Sequence, residues 1–131
     1  MWVKFSNNPC GRNGVGDCVL RALGVVLDKT WNEIYWELCL YGAYMCDWGN
    51  SNGVWDAYLT DNGFKRATIP NICPECYTIG DFARDNPVGR FIVATGTHVV
   101  GVIDGCVLDS WDSTQEIPTY YYFKGVIDGE F

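Results

Sequence analysis

The spacing of apolar and polar residues divides the chain into a largely helical first part and an extended second part. Apolar residues at helical spacing predict four helices, and a capping box at Thr30–Glu33 marks the start of the second. Two further short runs in this part, rich in aromatic and β-branched residues, fit strands. The predicted helices lie at 18–27, 31–43, between 53 and 63, and at 78–86, and the two strands at 2–5 and 64–69.

After Pro87 the period changes from helical to extended. Four runs rich in β-branched and aromatic residues predict strands at 90–94, 98–103, 106–110 and 120–124. Helices followed by an antiparallel sheet define the α+β class. Because the chain has 131 residues and contains no linker or low-complexity segment, we expect residues 1–131 to form a single domain.

Composition and charge argue against several classes of function. Nine Lys and Arg residues against sixteen Asp and Glu give a net charge of −7 without any basic cluster, so we expect no nucleic-acid binding. No apolar run approaches the roughly 20 residues that a membrane span needs. The first eight residues lack both the basic and the apolar regions of a secretory signal. We therefore expect a cytoplasmic protein with no membrane partner, and we expect a monomer.

Among the seven cysteines, Cys18 is distinguished by its place at the predicted start of the most apolar helix. Asp17 is a helix N-cap by type, and we expect its carboxylate to accept from the free backbone N–H groups that follow. The positive end of the helix dipole favours a thiolate, so it lowers the pKa of a cysteine placed there. Arg21 lies one turn after Asp17, and we expect the two to form a structural pair. By itself, this stretch fits a reactive thiol and a small packed side chain equally well.

Asp104-Gly105, between two apolar runs, predicts a two-residue hairpin, because a type I′ turn needs positive φ at both positions. That turn fixes a register in which the numbers of opposed residues sum to 209. Val100 then faces Asp109, and His98 faces Trp111. Because side chains alternate along a strand, all four project from one face, and His98 and Asp109 are diagonal neighbours roughly 7–8 Å apart.

His98 is the only histidine of the chain. A lone histidine is more often structural than catalytic, but the hairpin register places a carboxylate beside this one. We expect Asp109 to hold Nδ1–H and to leave Nε2 as the proton acceptor. A thiol at a helix start also needs a base. The sequence therefore predicts a catalytic site in which Cys18 is the nucleophile, His98 the general base and then acid, and Asp109 the orienting group.

A cysteine on a helix, followed by a histidine and an aspartate on two strands, resembles the papain-like cysteine peptidase superfamily in its minimal forms, such as the bacteriocin-leader-processing peptidases. More closely, the chain is similar to small papain-like proteins encoded by bacteriophages and prophages. This resemblance implies a papain-like fold, with N-terminal helices packed on a C-terminal sheet, and thiol-dependent hydrolysis. It covers residues 5–123 and is strongest in Asn8-Pro9, Gly16–Ala22, Gly96–Val100, Ile103–Gly105 and Asp109–Ser113.

The sequence departs from the papain-like pattern at one position. Papain-like enzymes usually place a glutamine shortly before the nucleophile, where its amide helps to form the oxyanion hole, and here that position is Arg12. Asn13 and Asn8 are nearby amides that can substitute, beside the backbone N–H of Cys18. Loss of such a donor typically costs roughly 10²–10³ in rate, so an active enzyme is expected to have one.

The remaining cysteines offer a competing explanation. An odd number of cysteines without an export signal predicts reduced thiols rather than a disulfide framework. Cys73 and Cys76 form a CxxC pair, which is half of a structural zinc site, and a four-thiolate site with Cys39 and Cys46 is conceivable. Because a single CxxC is a weak signal, we expect it to brace a loop, with no metal and no cofactor bound.

Three hypotheses follow from the sequence. The first is a small papain-like peptidase or amidase that acts on a peptide or protein substrate in the cytoplasm, which is that of a bacterial host if a phage encodes the chain. The second is a catalytically inactive papain-like module that binds a protein partner, which the missing glutamine motivates. The third is a structural protein stabilised by zinc.

Overall fold

The computed structural model describes residues 1–12, 14–70 and 76–124. These residues form a mixed α+β fold of four helices and one six-stranded sheet, which confirms the predicted fold class. In chain order the elements are β1 (Trp2–Lys4), α1 (Cys18–Leu27), α2 (Trp31–Met45), α3 (Asn52–Asp61), β2 (Phe64–Thr68), α4 (Ile79–Asp85), β3 (Arg90–Ala94), β4 (Val99–Ile103), β5 (Cys106–Asp109) and β6 (Tyr120–Lys124).

Local capping signals are formed at the starts of α2 and α4. α1 has its predicted bounds, and the capping box of α2 makes both of its hydrogen bonds, between Thr30 and Glu33. α2 continues two residues beyond the predicted end and stops where Cys46 adopts a left-handed conformation, with φ 58°. α4 begins with a second capping box, between Thr78 and Asp81. That box was not predicted, because aspartate is less typical than glutamate or glutamine at its third helical position.

The sheet has the strand order β1-β5-β4-β3-β6-β2. Every neighbouring pair is antiparallel except β1 and β5, which pair in parallel. The prediction of an antiparallel sheet, made for the strands after Pro87, is confirmed for β3, β4, β5 and β6. The sequence predicted no partner and no direction for β1. No short turn joins β1 to β5, so a tight-turn rule does not fix their relative direction.

The hairpin between β4 and β5 has the predicted register. Gly101 pairs with Leu108, and Val102 pairs with Val107. The two turn residues, Asp104 and Gly105, have φ values of 49° and 78°. The ends of this hairpin are therefore adjacent, where His98 precedes β4 and Asp109 ends β5.

The sheet separates two apolar clusters. The larger joins α1, α2 and α3 to one face of the sheet, at Ile92, Ala94 and Tyr122. The smaller joins α4 to the other face, at Val93 and Val100. In the described part of the chain, no helix has the length and the apolar character needed to cross a membrane.

α1 packs against β4 at Gly101, which has no side chain to separate the strand from the helix. A Cβ atom at this position would lie 2.8 Å from Val25 Cγ1 and 3.2 Å from Val26 Cγ2. Ordinary carbon contacts lie at about 3.5–4.0 Å, so only glycine allows the helix to approach this closely. This packing brings the first turn of α1 beside the start of β4.

Candidate active site

Cys18 is the first residue of α1 and is partly exposed. Asp17 precedes it, but its carboxylate makes no hydrogen bond to a backbone N–H of the helix, so the capping prediction for Asp17 is wrong. Side chains from other parts of the chain, those of Asn8, Arg21 and Trp31, bind that carboxylate instead. The first backbone N–H groups of α1 are therefore not taken by the Asp17 carboxylate, and Cys18 lies at the positive end of the helix dipole.

His98 lies in a turn immediately before β4. The N–H of Thr95 donates to the His98 carbonyl at 2.8 Å, and the N–H of His98 donates to Thr95 Oγ1 at 3.0 Å. The imidazole itself is largely buried, with 11% of the side chain exposed. Hydrogen bonds to Thr95 thus hold the main chain of His98 in place, independently of the contacts of its ring.

Asp109 is the last residue of β5 and is 1% exposed. Its Oδ2 accepts from His98 Nε2 at 2.6 Å and from Ser113 Oγ at 2.6 Å. Its Oδ1 accepts from the N–H of Ser110 at 2.8 Å and from Arg21 Nη2 at 3.4 Å. A buried charge requires such partners, and both carboxylate oxygens have them.

The predicted contact between His98 and Asp109 is present, but the predicted ring nitrogen is wrong. Nε2 faces Asp109, which leaves Nδ1 for the thiol, and Cys18 is hydrogen-bonded to His98. The reason lies in the position of the thiol, which also accepts from the backbone N–H of Val99. The thiol therefore lies near the main chain of β4, beside the ring nitrogen closer to that main chain, whereas Asp109 reaches the distal one.

These contacts favour a thiolate–imidazolium pair. Burial raises the pKa of the Cys18 thiol, but hydrogen bonds from His98 and Val99 and the positive charges of His98 and Arg21 outweigh it, so the pKa lies below its ordinary value. Burial lowers the pKa of His98, but hydrogen bonds to Asp109 and Cys18 and their negative charges raise it to about 9. Burial likewise raises the pKa of Asp109, yet the His98 and Ser113 hydrogen bonds hold it below its usual range.

The predicted pair of Asp17 and Arg21 is present, and it extends further than predicted. The guanidinium binds Asp17 through Nη1 and reaches Asp109 through Nη2. Sequence reasoning missed this second contact, because Arg21 and Asp109 are 88 residues apart. It also missed Ser113, although a serine four residues after the strand aspartate was a signal that it could have used.

The two predicted oxyanion donors have different outcomes. Asn8 donates through Nδ2 to Asp17 Oδ2 at 3.2 Å, and its Oδ1 accepts from the N–H of Cys10 at 2.9 Å. Its side chain therefore braces the loop before α1. Asn13 lies outside the described residues, so its role stays a prediction.

A cleft of about 220 Å³ opens beside Cys18 and His98. Its lining includes the turn at Thr95–Thr97 and the side chains of Asn50 and Asn52. The ring of Trp111 lies 5.0 Å from that of His98, between centroids, and 44% of Trp111 is exposed.

The zinc hypothesis stays a prediction. Cys39 and Cys46 are exposed on and after α2, while Cys73 lies outside the described residues. Within the described ranges, no group of three or more His, Cys, Asp or Glu side chains is arranged to hold a metal ion.

Comparisons with models of protein families, with curated proteins and with solved structures found no match.

Proposed function

We propose that this chain is a cysteine hydrolase of papain-like type, a peptidase or amidase that works through an acyl-enzyme thioester. The observation that supports the proposal most strongly is the continuous contact from Cys18 through His98 to Asp109. A thiol at a helix start, a base within hydrogen-bond reach and a third group that orients the base are the features of an activated nucleophile.

In the proposed cycle, the Cys18 thiolate attacks the carbonyl carbon of an amide, and the carbonyl oxygen becomes an oxyanion. The His98 imidazolium gives its proton to the amide nitrogen, the C–N bond breaks and an amine leaves. Water then attacks the thioester while His98 accepts its proton, the C–S bond breaks, and the acid is released with the thiolate–imidazolium pair restored. Asp109 holds the imidazole through Nε2 in both half-reactions.

The oxyanion would be stabilised at the start of α1. The backbone N–H of Cys18 lies there, and Asp17 leaves the first turn uncapped. The Asn8 amide is a weaker candidate in this proposal, because one of its two N–H donors is committed to Asp17. The substrate would be a peptide or protein in the cytoplasm, which is the bacterial host's if a phage encodes the chain.

Selective alkylation tests the proposal. The seven thiols should be labelled with iodoacetamide near pH 6 and their rates compared by mass spectrometry. Cys10, Cys39 and Cys46 are exposed, whereas Cys18 is only partly exposed, so exposure alone predicts slower labelling of Cys18. Thiolate activation predicts the reverse order, and it predicts that His98→Ala abolishes the preference. Labelling rates that follow exposure would refute the enzyme proposal.

An inactive module that binds a protein partner is the second candidate, and one observation favours it. Among the large apolar side chains that α2 and the loop after it expose, four are more than 60% exposed, those of Trp36, Leu40, Tyr44 and Trp48. A surface of this kind is typical of a protein interface. Two results together would support this candidate. The chain would bind a protein partner, and iodoacetamide would label Cys18 no faster than Cys10.

A further inference from the structure

A second buried carboxylate lies behind the candidate triad, and Arg21 joins the two. Its Nη1 donates to Asp17 Oδ1, and its Nη2 donates to Asp109 Oδ1 at 3.4 Å. Asp17 and Asp109 are 4% and 1% exposed, so the guanidinium is enclosed between two desolvated carboxylates. A planar guanidinium can span two acceptors at a fixed separation, whereas the ammonium of lysine is a single compact charge.

Asp17 is itself fixed through its other oxygen. Trp31 Nε1 donates to Asp17 Oδ2 at 2.9 Å, and Asn8 Nδ2 donates to the same atom at 3.2 Å. The start of α2 and the loop before α1 therefore hold this carboxylate with Oδ1 directed at Arg21. The guanidinium is thus anchored at one end, and at its other end it is one of two donors to Asp109 Oδ1, beside the N–H of Ser110 at 2.8 Å.

On Asp109, the contacts of Arg21 and His98 are on different oxygens. Arg21 binds Oδ1 and His98 binds Oδ2, so a rotation of the carboxylate about its Cβ–Cγ bond would disturb both contacts. The negative charge of Asp17 offsets the positive charge of the Arg21 guanidinium. The negative charge of Asp109 is therefore left to balance the His98 imidazolium.

We propose that Arg21, anchored by Asp17, is a positioning residue of the candidate triad that holds Asp109 so that Oδ2 is presented to His98. This inference rests on the proposed function, since it assigns how that site is kept in order. The Asp17–Arg21 pair is then more than a local structural contact. It is the outer end of a series of contacts that runs through Asp109 and His98 to Cys18.

A positioning role and a simple charge effect predict different titrations of His98. The groups that face His98 are Cys18 from α1 and Asp109 from β5, with Arg21 and Asp17 behind Asp109. A nearby positive charge disfavours the imidazolium, so removal of a mere charge raises the pKa of His98. Loss of an orienting contact weakens the hydrogen bond to Asp109 and lowers that pKa.

The test is an NMR titration of the imidazole ring. His98 is the only histidine, so its ring signals need no assignment. Arg21→Lys keeps the charge and loses the bridge, while the double variant Asp17→Asn/Arg21→Gln removes both charges and leaves no carboxylate unpaired. In both variants we expect the His98 pKa to fall from about 9. The expected fall is about one pH unit, since an opposite charge in contact contributes roughly 1–3 units.

A matched control separates positioning from a general weakening of α1. Arg90 Nη1 donates to the carbonyl oxygens of Val25 and Val26, at the opposite end of this helix, both at 3.1 Å. Arg90→Lys should weaken that end of the helix and leave the His98 titration at its wild-type position. The amide spectrum of each variant reports whether it is folded.

An unchanged or raised His98 pKa in the folded Arg21→Lys protein, or in the double variant, would overturn the inference. An equal fall in Arg90→Lys would overturn it as well. These outcomes are separate from the failure of the proposed function, because the titration needs no turnover. A Cys18 that labels selectively while Arg21→Lys leaves His98 unmoved would reject the positioning role alone.

Discussion

Replacement of Gly101 by alanine tests whether the fit of α1 on β4 sets the position of the thiol. The added methyl group would lie 2.8 Å from Val25 Cγ1 and 3.5 Å from the Ala22 carbonyl oxygen. Since carbon contacts are ordinarily about 3.5–4.0 Å, relief of the first contact requires a displacement of roughly 0.7–1.2 Å. The displaced segment lies one to two turns from Cys18 on the same helix.

Two magnitudes follow from this displacement. Overpacking of a well-packed core costs about 1–3 kcal/mol, from which the replacement of a strand glycine by alanine recovers roughly 0.5–1 kcal/mol. We therefore expect a modest net loss in the free energy of unfolding. A misplacement of about 1 Å at reacting groups can cost roughly 100-fold in rate, so we expect the alkylation of Cys18 near pH 6 to slow by about 10- to 100-fold.

The assay combines urea unfolding with the rate of iodoacetamide labelling at Cys18. Gly53→Ala is the matched control, because a Cβ atom at Gly53 meets nothing within 4 Å. Gly53 lies at the start of α3, so this variant should unfold at a urea concentration at least as high as that of the wild type. Its rate of labelling at Cys18 should be unchanged. If Gly101→Ala loses stability but labels at the wild-type rate, the helix–strand fit does not position the thiol and the reasoning is refuted.

Two further predictions concern the carboxylate and the base. Ser113→Ala removes a 2.6 Å hydrogen bond from buried Asp109 and should lower the free energy of unfolding, measured in urea titrations, by about 1–3 kcal/mol. The control Ser110→Ala keeps the backbone N–H that donates to Asp109, so it should change this free energy little. Equal losses in the two variants would contradict the role assigned to Ser113. The raised pKa of His98 means that its pairing stabilises the fold in full below its usual pKa of 6.5, and that this contribution is lost as the pH rises through about 9. The stability difference between wild type and His98→Gln should therefore be larger near pH 6 than near pH 10, and a difference independent of pH would refute the raised pKa.

The parts of the site that the sequence predicted correctly depend on short-range rules. The Asp104-Gly105 turn determines the register of its own two strands, and that register is enough to bring His98 to Asp109. The bounds of α1 follow similarly from an apolar run that only Arg21 interrupts. Each of these rules relates residues that are near one another in the chain, so no knowledge of the rest of the fold was needed.

The errors occur where distant segments compete for the same group. Asp17 has the residue type of an N-cap, but Trp31 and Asn8, which lie outside α1, donate hydrogen bonds to its carboxylate. The choice of His98 ring nitrogen depends on where α1 places the thiol, which no pattern in the hairpin encodes. The direction of β1 also depends on tertiary packing, because β1 joins the sheet beside a strand that lies about a hundred residues later.

The parallel strand β1 is the outermost strand of the sheet beside β5, and it holds the main chain of Asp109. The N–H of Phe5 donates to the Asp109 carbonyl at 2.8 Å, and Trp2 Nε1 donates to the same oxygen at 3.1 Å. β1 has three residues, all exposed, and it pairs with one neighbour only. Edge segments with so little buried surface open locally at a lower free energy than the core does. The Asp109 carboxylate is thus tied to one of the least protected segments of the sheet, and fraying of that edge would disorder the candidate active site while the domain remained folded.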